Sequence, residues 1–72
     1  MEYVIVAFPT DRLVYIDDEK NGSTNKVLRV DAGTHVFDLG PVGNYRPASR
    51  TVTLQGTTSL APLVLEFRKR ES

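Results

Sequence analysis

Few residues in this 72-residue chain could do chemistry, and the first is its single histidine, His35. A catalytic histidine needs a nucleophile to deprotonate or a carboxylate to orient its ring, within hydrogen-bond reach. Strand alternation places His35 on the side shared with Phe37 and Leu39, while the strand's nearest carboxylate, Asp38, faces the other way. We read His35 as a strand-start histidine, bonded to nearby backbone or partly exposed. Asp17-x-Glu19-x-Asn21-Gly22 supplies half of a calcium loop, with oxygen donors at alternate places and glycine next. The bidentate carboxylate that completes such a loop would fall on Leu28, which cannot ligate. The segment therefore reads as a solvated hairpin turn, with no metal and no cofactor. Asn21-Gly22-Ser23 also fits a glycosylation sequon, and is read as the same turn.

Arg68-Lys69-Arg70 is a small basic cluster, flanked by Glu66 and Glu71, with Arg46 and Arg50 elsewhere. Nine basic and nine acidic residues cancel, so the excess expected of a nucleic-acid or anionic-membrane binder is missing. Tyr3, Tyr15 and Tyr45 could stack on a sugar or a partner, but strand tyrosines more commonly rim a sheet or core. There is no glycine-rich phosphate loop, no nucleophile elbow and no metal-spaced His/Cys cluster. We expect no enzyme.

The elements that must carry these residues are short and β-rich. Tyr3 to Phe8 is an apolar run closed by Pro9, and Leu13 to Ile16 is a second, closed by Asp17 to Gly22. Asn21-Gly22 supplies the two positive-φ positions that a type I′ hairpin turn needs. Lys26 to Val30, the turn Asp31-Ala32-Gly33, and Thr34 to Leu39 follow. Gly40-Pro41-Val42-Gly43-Asn44 is the densest turn cluster. Thr51 to Gln55 alternates with Val52 and Leu54 inward, and Leu63, Leu65 and Phe67 alternate in a last strand. These six runs predict a single all-β domain over residues 1–72, a small antiparallel β-sandwich or, alternatively, a partly open β-barrel. A chain this short buries only ~60 % of its unfolded surface. It has no cysteine to staple it, so packing must hold the fold.

The order of these segments resembles the PEGA domain family. The matching features are Val6-Ala7-Phe8-Pro9, then Val14-Tyr15-Ile16-Asp17 with Gly22-Ser23-Thr24, then Asp31-Ala32-Gly33-Thr34-His35-Val36-Phe37. Asn25 stands where the family usually has proline, Asp31-Ala32 replaces the Pro-Glu of the motif, and Asn44 is inserted between Gly43 and Tyr45. The resemblance implies a bacterial or archaeal β-sandwich module without enzyme activity, often part of surface or signalling proteins.

The expected function is association. One reading is a protein-interaction module that binds a protein partner or its own copy through a sheet edge, placed at Tyr3 and Ile5 of the uncharged N-terminal strand. The other is a carbohydrate- or surface-ligand-binding sandwich using Tyr45 and Arg46 beside the Gly40 to Arg46 loop. No leader and no apolar span precede the first strand. The expected compartment is therefore the cytoplasm, or an extracytoplasmic one if the chain is a domain of a longer protein.

Overall fold

The computed structural model describes residues 1–41 and 43–70; the part of the turn cluster at Val42 and the flanking charge at Glu71 lie outside them. Nine strands occur among the described residues: β1 (Glu2–Ala7), β2 (Leu13–Ile16), β3 (Glu19–Ser23), β4 (Val27–Val30), β5 (Gly33–Asp38), β6 (Tyr45–Arg46), β7 (Arg50–Leu54), β8 (Leu63–Glu66) and β9 (Arg68–Lys69). They form a three-stranded sheet in the order β4-β1-β8, a four-stranded sheet in the order β3-β2-β5-β7, and a β6-β9 ribbon. None of the sheets closes into a barrel, and no helix is present among the described residues, so the all-β sandwich holds.

Three details differ from the sequence expectation. The β1–β8 pair is parallel, with Ile5 opposite Val64, so the sandwich is not purely antiparallel. The count exceeds six because β3, β6 and β9 carry little apolar signal. β3 is the run Glu-Lys-Asn-Gly-Ser, exposed along nearly its whole length. The β2–β3 turn is Asp17-Asp18, both at positive φ, as a type I′ turn requires. Asn21-Gly22 instead lies within β3 at a register shift, where two residues face Val14 alone, a bulge.

The core lies between the two sheets. Val4 and Val6 of β1, Leu28 and Val30 of β4 and Leu65 of β8 meet Val14, Ile16, Phe37 and Leu54 from the other sheet. Phe37 and Leu65 are buried as the alternation predicts, at 0 % and 2 % exposure.

The chain passes between sheets several times, and polar side chains fasten each passage. Between β1 and β2, and between β3 and β4, Asn25 caps the backbone of Phe8 from both sides. Its Oδ1 accepts from Phe8 N–H at 3.1 Å and its Nδ2 donates to Phe8 O at 2.9 Å. Thr24 Oγ1 accepts from Arg12 N–H and donates to Thr10 O, each at 2.9 Å. Asn25 has φ 64°, which proline's ring forbids. The proline that the resemblance implies at this place could not adopt this backbone, and Asn25 anchors the turn with its own side chain. At the β7–β8 passage, Thr57 donates from both Oγ1 and N–H to Glu2 Oε1, at 2.6 and 2.9 Å, and accepts from Tyr3 N–H. These bonds, the hydroxyl's first, hold the Glu2 carboxyl below its ordinary pKa.

Candidate functional site

The uncharged N-terminal strand is not an edge. β1 is the middle strand of its sheet, antiparallel to β4 on one side and parallel to β8 on the other. Its backbone groups are engaged on both sides, so no partner strand can be added there. Tyr3 and Ile5 point instead to the outer face of this sheet, half-buried among their neighbours, while Val4 and Val6 point into the core.

The strands that end the sheets are β4, β8, β3 and β7. Three are blunted by charge: β4 carries Arg29, β8 Glu66, and β3 Glu19 and Lys20 with its bulge. β7 is different. It pairs with β5 from Gly33↔Leu54 to Phe37↔Arg50, and its other side has no strand partner among the described residues. After Arg50 it reads Thr51-Val52-Thr53-Leu54, uncharged and rich in β-formers, with Leu54 buried and both threonines exposed.

At one end of the sandwich, Tyr45 and Arg46 form β6 beside β9. Tyr45 is a core residue, 8 % exposed, its ring edge-on to Phe8 and Phe67. Its hydroxyl accepts from Leu39 N–H at 3.2 Å and donates to Gly40 O at 3.0 Å. The expectation that Tyr45 stacks on a ligand therefore fails, because no face of the ring is free. Arg12 covers this cluster, its guanidinium 4.9 Å from the Tyr45 ring centre and 5.7 Å from that of Phe8. It also bonds Asn44 Oδ1 and reaches Leu39 O at 3.3 Å. Arg12 and the inserted Asn44 thus secure the loop, a role the sequence did not signal because Arg12 stands among turn residues. Gly40, at φ 65°, lets Tyr15 lie against the backbone where a Cβ would collide with its ring. Arg46 is exposed.

At the opposite end, an open depression of about 400 Å³ is lined by Ile16, Asp17, Glu19, Arg29, Asp31 and His35, among others. His35 Nδ1–H donates to Asp17 Oδ2 at 2.7 Å, and Nε2–H donates to Asp31 O at 2.8 Å. Asp17 Oδ1 accepts from Val36 N–H at 2.9 Å. Since both ring partners can only accept, the protonated imidazolium is the form that satisfies both. The Asp17 hydrogen bond leads in raising the His35 pKa, followed by the Asp31 carbonyl, and the same bond leads in lowering that of Asp17. The orienting carboxylate exists after all, but it comes from the β2–β3 turn, eighteen residues away, and not from Asp38. This arrangement braces a turn. Neither ring nitrogen is free to take a proton from a substrate, and no hydroxyl nucleophile bonds the ring among the described residues. Asp17, the first donor of the half calcium loop, is committed to this brace.

A family model described as PEGA domain matches residues 1–69 of the chain. No curated protein and no solved structure matches it.

Proposed function

The chain belongs to the PEGA domain family, and from that premise we propose that it is a non-catalytic module which binds a protein partner through the open edge of β7. The family consists of small modules, often of extracellular proteins, which is consistent with a binding role and favours an extracytoplasmic setting for this one. One observation carries the reading: among the described residues, β7 alone of the strands that end the two larger sheets presents four consecutive uncharged residues along an edge with no strand partner. A partner segment lying beside Thr51–Leu54 would complete its backbone hydrogen bonds there, and the outward Thr51 and Thr53 would select the side chains it accepts. Lysines are the usual means by which natural edges refuse such pairing.

The test is the double substitution T51K/T53K. Both sites are exposed and the one side-chain bond lost is that between the Thr53 and Thr34 hydroxyls, so the variant should stay folded and lose no more than about 1.5 kcal/mol. Co-precipitation from the cells that make the protein should recover partners with the wild type and lose them with the variant. Partners retained by a folded variant would place binding elsewhere. The saccharide alternative has lost its aromatic platform with the burial of Tyr45, leaving Arg46 alone at that loop. A glycan array probed with the wild type checks it directly, and saturable binding abolished by Arg46→Ala would revive it.

A further inference from the structure

We infer that the outer face of the three-stranded sheet is a two-fold interface for a second copy of this chain. The face has an apolar row across all three strands. Val27 of β4 and Val64 of β8 lie opposite Ile5 of β1 on either side, at 47 % and 53 % exposure. Large apolar side chains in the middle of a sheet face, flanking a half-buried isoleucine, form a contiguous patch and not scattered single residues.

The charges around that row decide what covers it. Arg29 lies opposite Tyr3, two residues before Ile5, and Glu66 lies opposite Ala7, two residues after it. The two charges therefore stand at diagonal corners of the face with Ile5 at its centre. They carry opposite signs, and neither has an ion-pair partner in its own chain among the described residues. A face whose halves are complementary about their centre fits its own copy, which is the condition for an isologous contact.

The geometry is specific. Consider a two-fold axis lying in the interface, through Ile5 and perpendicular to the Arg29–Glu66 diagonal. It sets Ile5 on Ile5, Tyr3 on Val64, Ala7 on Val27, and each Arg29 on the other copy's Glu66. With strands ~4.8 Å apart and residues ~3.4 Å apart along them, the strands of the two copies cross at roughly 70°. That is close to the orthogonal class of sheet packing. Three short strands offer less than the ~800 Å² per partner of a standard interface, so the dimer is weak and concentration-dependent.

This surface is separate from the β7 edge. A chain that stays monomeric yet still captures its partner through Thr51–Leu54 would overturn this inference alone.

The experiment is sedimentation equilibrium up to about 1 mM, near the limit of weak specific association. The wild type should dimerise, and Ile5→Arg and Val64→Arg should both be monomeric while keeping a wild-type circular dichroism spectrum. Arg29→Glu and Glu66→Arg, each of which sets like charges together twice, should each weaken the dimer about tenfold or more. Mixed in equal amounts, these two charge variants should associate with near wild-type strength, because only the heterodimer restores both opposite-charge contacts. A wild type monomeric at 1 mM, a folded Val64→Arg chain that still dimerises, or a mixture no tighter than its components would each overturn it.

Discussion

The two sheets offer solvent opposite things. The three-stranded sheet ends in strands carrying Arg29 and Glu66, but its outer face is crossed by hydrocarbon from Val27, Ile5 and Val64. The four-stranded sheet is more polar on its outer face, where Thr34 and Thr53 join hydroxyls at 2.8 Å across β5 and β7, but at one side it ends in β7, which is uncharged after Arg50. A sheet can associate through its edge, where the backbone supplies the bonds, or through its face, where side chains do. By the two proposals each sheet takes one route, the face for a second copy and the β7 edge for a protein partner.

The largest effect should come from the core that both sheets share. Phe37 is fully buried between them, so Phe37→Ala should cost ~3–5 kcal/mol, a large part of the ~5–15 kcal/mol that holds a domain. A melting midpoint unchanged in this variant would mean that the sheets do not depend on one core.

Proline scanning sharpens the contrast between a middle strand and an edge. Val4 and Ile5 of β1 have registered partners in both β4 and β8, so both Val4→Pro and Ile5→Pro should destabilise, by about 1–3 kcal/mol for each lost bond with its stranded acceptor. In β7 successive N–H groups alternate between β5 and the open side. Of the adjacent pair Val52→Pro and Thr53→Pro, one should therefore be tolerated and the other not. Equal damage at both positions, measured by thermal melts, would show that the β7 edge is covered.

A smaller effect should appear at the corner where the chain passes from β4 to β5. His35 has its pKa raised from 6.5, so its bonds contribute fully below that value and are lost as pH rises through the higher folded one. Asp17 has its pKa lowered from 3.8, so its share is present above that value and lost as pH falls through the lower folded one. The stability gap between wild type and His35→Gln should thus be widest between pH 3.8 and 6.5 and shrink on the alkaline side. A gap independent of pH in urea titrations would mean that the imidazolium is not the bonded form.

The alternation of Val52 and Leu54, and of Leu63, Leu65 and Phe67, was enough to assign strands and their inward faces, because burial on one side imposes a period of two. The position of β1 was not legible. An apolar run suits both a central strand and an adhesive edge, and only long-range pairing with Val27–Val30 and Leu63–Glu66 distinguishes them. β3 looks like a turn in the sequence because an exposed hairpin arm needs no hydrophobic pattern. The His35–Asp17 bond and the burial of Tyr45 were hidden for the same reason. Each depends on which distant segments the fold brings together, and residue type carries no record of that.

The most direct test is a dilution series followed by ¹⁵N–¹H correlation spectra of the chain alone. As concentration rises toward about 1 mM, we expect shifts confined to the outer face of the three-stranded sheet, centred on Ile5, Val27 and Val64. The amides of Thr51–Leu54 should stay fixed until a protein partner is added, and then should move without the first group. Shifts at β7 on self-association, or one set of amides answering to both titrations, would contradict the division of labour between face and edge.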